Sequence, residues 1–300
     1  MSVSTPFPQE SSPESSDWVK VAVLIASFNR PELTGEALRA LALSAKQAKV
    51  TVKLFLADAS TSELTKNVAV AIYPDAEIIS VPDSSYWASS MRIAWQHAQH
   101  WDYDFVMWLN DDVTLEREAL TLLINSSAKG PTPSVAVGAT RDPETGELTY
   151  GGKLHGPWFA PLHGPRLWPA DQAQEIGIIE GNIVLIPKSV DDTIGGFPSE
   201  YLHNMADTAY GLRLKKKSIK VILCPGFLGT CRANPAAELW RNTSLPAKTR
   251  WAHLGSPKGR PFRYWFRLCR EIGGVSWPMY LIAGHLKVLA SFAHDTTTKN

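Results

Sequence analysis

Between residues 18 and 140, apolar runs alternate with amphipathic stretches, and this alternation restricts the fold more than any other feature of the chain. Residues 19–28 (VKVAVLIASF) form a near-continuous β-branched run, the pattern of a strand buried on both faces. Residues 31–45 (PELTGEALRALALSA) then place Pro31 at a helix start, with apolar residues at helical spacing. The pair recurs, so strands are predicted at 50–58, 76–83, 102–110 and 134–140, and helices at 62–72, 88–100 and 115–128. This order predicts an α/β fold, a parallel sheet with helices on both faces.

Ligands of such sheets bind beyond the carboxyl ends of the strands. The first strand ends in Ser27, Asn29 and Arg30, the second in Asp58 and Ser60, and the third in Asp83 and Ser84. The fourth is the most informative. FVMWLNDDV (105–113) leads an apolar strand through Asn110 into two adjacent carboxylates, Asp111 and Asp112. From a turn, both can point at one hard divalent cation such as Mg²⁺ or Mn²⁺. Such ions take oxygen ligands, and few come from the protein when phosphates supply the rest. A cation there would neutralise a departing diphosphate. Asp102 and Asp104 stand at the opposite end of that strand and read as solvated or capping residues. Asp207, at a predicted helix start, fits either a cap or a general base.

Composition narrows the alternatives. The chain has 300 residues, 44% hydrophobic, enough for one large domain with or without an appendage. Its formal net charge of +1 does not advertise a polyanionic partner. Cys224, Cys231 and Cys269 form no CxxC pair, which fits neither a zinc ribbon nor a disulfide framework and points to a reducing compartment. No charged-then-apolar leader opens the chain, so a cytoplasmic location is expected. Residues 1–17 are rich in Ser and Pro and read as a disordered tail. There is no GxxxxGK[ST], the first strand runs into SFNRPE instead of GxGxxG, and no Ser lies in a GxSxG elbow. His97 and His100 could pair on a helix, yet their neighbours suggest an exposed face.

The second half is less regular. Residues 141–175 are rich in Gly, Pro and aromatics and suggest an ordered excursion over the site. Residues 177–190 read as a strand running into a short helix, 195–218 as a turn and then a helix from about Asp207, and 220–226 as a strand. Residues 241–270 carry eight Lys or Arg and no acid, interleaved with Trp251, Phe262, Tyr264, Trp265 and Phe266. An amphipathic helix at 276–294 follows, too interrupted for a comfortable membrane span. This extension, 236–300, fits attachment at a membrane interface, or a core-packing helix with a solvated basic face. Basic and aromatic residues also suit single-stranded nucleic acid, against which the near-neutral total charge argues.

These segments, in order, resemble the inverting GT-A glycosyltransferases of family 2, especially bacterial surface-polysaccharide members of the rhamnosyltransferase type. IASFNR (25–30), LADAST (56–61), SSYWASSMRIAW (84–95), WLNDDV (108–113), EGNIVLIP (180–187), GGFPSEYLHNMADTAYGLRLKKKS (195–218) and SPKGRPFRYWFRLCREIGGVSWPMYL (256–281) are each similar to a family segment. The resemblance implies a Rossmann-like, mostly parallel sheet over residues 18–235, with a nucleotide-sugar half to about 140, an acceptor half beyond it, and a helical basic C-terminal extension. It implies a UDP- or dTDP-sugar donor, Mn²⁺ or Mg²⁺, and a glycan or lipid-linked acceptor. Ser27, Asn29, Arg30, Asp58, Trp87, Arg92, Asn110, Asp111 and Asp112 would line the donor site, with Asp112 and Asp111 as metal ligands. Trp158, Gly181, Asn182 and His203 would face the acceptor, and Asp207 would be the general base. The family often carries a second acid two residues after the base; here that position is Ala209. A glycoside hydrolase also uses two carboxylates, but an Asp–Asp turn ending a parallel strand better suits a metal-held diphosphate. A non-catalytic sugar-nucleotide binder is the other reading.

Overall fold

The computed structural model describes residues 18–129, 132–158, 160–234 and 239–297, with backbone alone at 287, 291 and 293–297. The tail expected at 1–17 lies outside the described residues. The first half follows the alternation: β1 (Val19–Ser27), α1 (Pro31–Ala48), β2 (Val50–Asp58), α2 (Leu64–Ile72), β3 (Glu77–Ser80), α3 (Trp87–Ala98) and β4 (Phe105–Leu109). Val21 to Ile25 of β1 are wholly buried, as the continuous apolar run requires. Pro31 opens α1, and Lys49 in the left-handed conformation closes it, its N–H bonding back to the last turn.

One segment departs from expectation. Residues 115–128 were expected as a single helix, but Thr114–Leu115 form β5 and α4 covers only Ala119–Ala128. Leu115 is buried by antiparallel pairing with Gly229 of a later strand, so tertiary pairing overrides local helix propensity.

The rest comprises β6 (Val135–Arg141), the short strands β7 (Leu148–Tyr150), β8 (Gly152–Lys153), β9 (Gln174–Ile176) and β10 (Ile178–Ile179), then β11 (Ile183–Pro187), α5 (Lys188–Ile194), α6 (Ala206–Lys216) and β12 (Val221–Thr230). Helices α7 (Ala247–Gly255), α8 (Phe262–Ile272) and α9 (Trp277–Thr297) make the C-terminal extension. The sheet order is β3-β2-β1-β4-β11-β6-β12-β5. The first four strands are parallel, and β12 is parallel to β6. β11 is inserted antiparallel to both β4 and β6.

Alternate strand residues feed two cores. Val23, Leu56 and Met107 face α1 and α4, whereas Leu24, Phe55 and Trp108 face α3, α6 and α8. On the second face, fully buried Trp108 packs against Phe197 with centroids 4.0 Å apart and planes tilted by 30°, and meets Tyr210 edge-on at 4.8 Å. Phe197 in turn meets Trp87 edge-on at 5.4 Å. Each such pair is worth roughly 0.5–1.5 kcal/mol beyond burial. Together they fix the starts of α3 and α6 against the end of β4.

Candidate active site at the β4–β11 junction

Because β11 runs against β4, its beginning lies beside the end of β4. Ile183 pairs with Leu109, and the Asn110 N–H donates to the Asn182 carbonyl at 3.1 Å. One residue earlier, the Gly181 N–H donates to Asp207 Oδ2 at 3.2 Å. The Asp111–Asp112 turn and Asp207 therefore stand at neighbouring strand ends, although about a hundred residues separate them in sequence. Trp87 bridges the two, its Nε1–H donating to Asn110 Oδ1 at 3.0 Å. A Cβ added at Gly181 would lie 2.7 Å from the Trp87 ring and 3.5 Å from Asp207 Cβ, so this approach admits only glycine.

Arg30 Nη1 sits between the paired carboxylates, 3.3 Å from Asp111 Oδ1 and 3.2 Å from Asp112 Oδ2. Asp111 is buried, whereas the Asp112 side chain is 31% exposed and accepts from the Cys231 thiol at 3.6 Å. The Asn182 amide donates to the same sulfur at 3.8 Å. Burial, and then the Asp112 charge, push the Cys231 thiol up, so it stays protonated and able to donate. Burial pushes the Asp111 carboxyl up to about 6 despite the pull of Arg30.

A folded-state pKa above the ordinary carboxylate value means that the native state holds this proton more tightly than the unfolded chain. Asp111 ionisation therefore weakens the fold as pH rises from about 4 through about 6, and the cost persists at neutral pH, at most about 3 kcal/mol. Without metal, Asp111→Asn is expected to melt higher than wild type at pH 7.5 and level with it near pH 4. Calorimetry at the two pH values checks this, and a lower melting temperature at pH 7.5 would contradict it.

Asp207 lies in the first turn of α6, after Met205 at φ 72°. Its Oδ1 accepts from the Thr208 N–H at 2.7 Å. Burial raises its pKa, with the Glu180 charge adding and the Thr208 and Gly181 hydrogen bonds opposing. Glu180 is a site residue that sequence reasoning missed. It pairs with Lys153 at 2.8 Å and Arg166 at 2.7 Å, and accepts from the Gly151 N–H. Its sole signal was an acid directly before an apolar strand. Lys153 and Arg166 reach it because a β-bridge joins them across the 141–175 excursion.

The other predicted residues divide into two groups. Ser27 shares a hydrogen bond with Thr34 at 2.9 Å and also bonds Asp111. Asp58 is buried at the end of β2; its Oδ1 accepts from the Ser60 N–H, and its Oδ2 has no hydrogen-bond partner among the described residues. Asn29 braces the loops. At φ 53° it donates its N–H to Ser60 Oγ and accepts at Oδ1 from Thr61. Arg92 lies on α3 with Nη1 buried and without a hydrogen-bond partner among the described residues. Trp158 is exposed, and its carbonyl accepts from Tyr280 of α9. His203 precedes α6, its ring 6.0 Å from Tyr86; burial, with Lys258 nearby, brings it down to about 4 and keeps it neutral.

His97 pairs with Glu77, and Asp102 and Asp104 both engage Lys20, so these serve structure. Among the described residues, no three His, Cys, Asp or Glu side chains converge as a metal cage. Asp111 and Asp112 offer two carboxylates that already share one positive charge, that of Arg30. Such a donor set fits a hard divalent cation whose remaining ligands come from phosphates and water.

No family model matches the chain, and no curated protein sequence matches it. Solved structures do. One is the mannosyltransferase PcManGT from Pyrobaculum calidifontis in complex with GDP-Man and Mn²⁺, over 97% of this chain and 78% of that one, with a TM-score of 0.58. The chain shares the fold of that glycosyltransferase. Identity is 15%, so the likeness concerns the fold: a Rossmann-like, mostly parallel sheet flanked by helices, as the sequence resemblance implied.

Proposed function

We propose that the chain is a metal-dependent inverting glycosyltransferase of the family 2 type. It would move a sugar from a UDP- or dTDP-sugar to a hydroxyl of a glycan or lipid-linked acceptor in bacterial polysaccharide synthesis. One observation carries the reading: the Asp111–Asp112 turn and the partly buried Asp207 meet through Asn110–Asn182 and Gly181–Asp207 hydrogen bonds.

Asp112, the more accessible carboxylate, would make the first metal contact, with Asp111 behind it. The Mn²⁺ or Mg²⁺ so held would act as a Lewis acid on the leaving diphosphate. Arg30, partly exposed, would pass from the carboxylates to the phosphates. Asp58 Oδ2 would accept the imide N–H of the base. Asp207 would take the proton of the acceptor hydroxyl as that oxygen bonds to the anomeric carbon. The bond to the diphosphate would break on the opposite face, inverting configuration. A raised carboxyl pKa suits a base working near neutral pH. Ala209 is fully buried in the core, so a carboxylate at that position is no part of this chemistry. Ser27, Asn29, Trp87, Arg92 and Asn110 would complete the donor side, and Trp158, Gly181, Asn182 and His203 the acceptor side.

Thermal shift with UDP-, dTDP- and GDP-sugars, with and without Mn²⁺, tests this. The GDP-sugars enter because the similar structure holds GDP-Man. A donor that binds the native state raises the melting temperature, and one UDP- or dTDP-sugar is expected to do so only with metal. If none does, the transferase reading fails.

Attachment of the extension at a membrane face belongs to the same proposal. Met279, Ile282, Leu286 and Leu289 are all exposed along one face of α9. Among the described residues no helix is long and apolar enough to cross a membrane. The chain is expected to sediment with vesicles containing anionic lipid, and Ile282→Glu with Leu286→Glu to stay in the supernatant. Wild type that never sediments would end this part of the reading.

A further inference from the structure

Between β10 and β11 the chain makes a tight turn, Glu180–Gly181–Asn182, closed by the Asn182 N–H donating to the Glu180 carbonyl at 3.0 Å. Backbone bonds leave it in three directions. The Glu180 N–H donates to the Gly151 carbonyl at 3.1 Å and the Gly181 N–H to Asp207 Oδ2 at 3.2 Å, while the Asn182 carbonyl accepts from the Asn110 N–H at 3.1 Å. One turn therefore touches both acidic sites, and whatever fixes it also fixes the donor that holds Asp207.

The Glu180 side chain supplies that fixing. Its Oε1 accepts from Lys153 at 2.8 Å and from Arg166 at 2.7 Å, and its Oε2 from the Gly151 N–H at 3.0 Å. It is 12% exposed, so these bonds form largely out of water, where bonds to a charged group are strong. Its charge also reaches Asp207. Glu180 raises the Asp207 pKa and Lys153 of β8 opposes it, both after burial itself. The other charges on the elements around Asp207 are engaged elsewhere. Arg213 of α6 pairs with Glu200 and with Glu271 of α8, Asp191 of α5 accepts from Trp95, Gln99 and Tyr103, and Lys215 and Lys216 lie in the last turn of α6. Tyr150 faces Glu180 too, and burial pushes its phenol up, so it stays neutral.

We propose that Glu180 is a positioning residue for Asp207: clamped by Lys153, Arg166 and Gly151, it holds the turn that aims the Gly181 N–H at Asp207 and sets a second negative charge beside that carboxylate. Lys153 and Arg166 both belong to the 141–175 excursion, so the excursion contributes to the base through Glu180. Like charges held close together favour the protonated form of one of them, and the opposite charge of Lys153 limits that effect. The role in transfer rests on the reading of Asp207 as the general base; the effect of Glu180 on the Asp207 proton does not.

The test is a pH titration of the Asp207 carboxyl by carbon NMR of the full chain without donor or metal, its signal identified by its absence from Asp207→Asn. In Glu180→Gln the midpoint should fall by at least about half a pH unit, about threefold in proton affinity. In Lys153→Met, which leaves Arg166 on Glu180, it should rise. Loosening of the turn alone would not move the two variants in opposite directions. Glu180→Asp, which keeps the charge, should stay closer to wild type than Glu180→Gln does. In transfer assays Glu180→Gln should lower kcat roughly tenfold with the acceptor KM within about twofold, and the acidic limb of the pH–rate profile should follow the NMR midpoint. Midpoints that move as stated in a chain without transfer would end the transferase reading and support the pairing of Glu180 with Asp207. A midpoint unmoved in a folded Glu180→Gln, or moved the same way in both variants, would overturn the proposal even with transfer intact. If Glu180→Gln loses its cooperative melt, Lys153→Met decides alone, and an unmoved midpoint there overturns the proposal.

Discussion

Asp207→Asn is expected to fold normally and to lose transfer by roughly 100- to 10,000-fold, the range that general-base catalysis contributes. The amide keeps one oxygen, enough for the Thr208 N–H that opens α6, while its NH2 group turns toward the Gly181 N–H and gives up that bond. What it lacks is the ability to take the acceptor proton. Burial raises the Asp207 pKa, so in wild type the acidic limb of the pH–rate profile should sit above the usual carboxylate range. That limb should vanish with the substitution. The linkage has a sign as well. A carboxyl with a raised native pKa costs stability once ionised, so removing it at pH 7.5 offsets the lost Gly181 bond, and the variant should lose more stability relative to wild type at pH 4 than at pH 7.5. Full transfer by a folded Asp207→Asn would remove the base assignment.

Asp112→Asn is the second large effect. It leaves Asp111, which is buried, as the one carboxylate of the turn. Metal-dependent donor binding should disappear, and transfer should fall at least about 100-fold, or about 2.7 kcal/mol. The binding loss shows first in melting temperature. A donor at 100 times its Kd stabilises by about 2.7 kcal/mol. For a chain of 300 residues that corresponds to a shift of roughly 4–5 °C. Wild type should show the shift with Mn²⁺, and the variant should not, with or without metal. A variant that keeps the shift would move the metal away from Asp112. Arg30 makes a useful control, because its bridge to both carboxylates should break to a single contact while the backbone turn holds.

The half of the fold before residue 140 was legible because its strands are buried on both faces and its helices are amphipathic. β1 carries a near-continuous apolar run and β4 an unbroken one, and Pro31 marks the start of α1. The polar ends of those strands followed directly, so the Asp111–Asp112 turn could be found from FVMWLNDDV alone. The direction of β11 could not. IVLIP reads equally well as a parallel or an antiparallel strand, since burial on both faces leaves no register mark. Yet that direction is what brings Gly181 and Asn182 beside Asn110. β5, β8 and β10 have two residues each, too few for any period to appear. Glu180 was missed for a related reason: Lys153 and Arg166 become its partners through pairing within the excursion. Asn29 holds two loops together with its side chain, a contact that its place after β1 does not reveal in the sequence.

The most direct measurement is electron paramagnetic resonance of Mn²⁺ titrated into the chain with and without UDP, dTDP and GDP, on wild type and on Asp112→Asn. If the turn holds a metal-bound diphosphate, one nucleotide and wild type together should remove the free Mn²⁺ signal at concentrations where neither does so alone, and Asp112→Asn should restore it. A wild-type signal that follows nucleotide alone, unchanged by protein for all three, would contradict a metal-held diphosphate at Asp111 and Asp112.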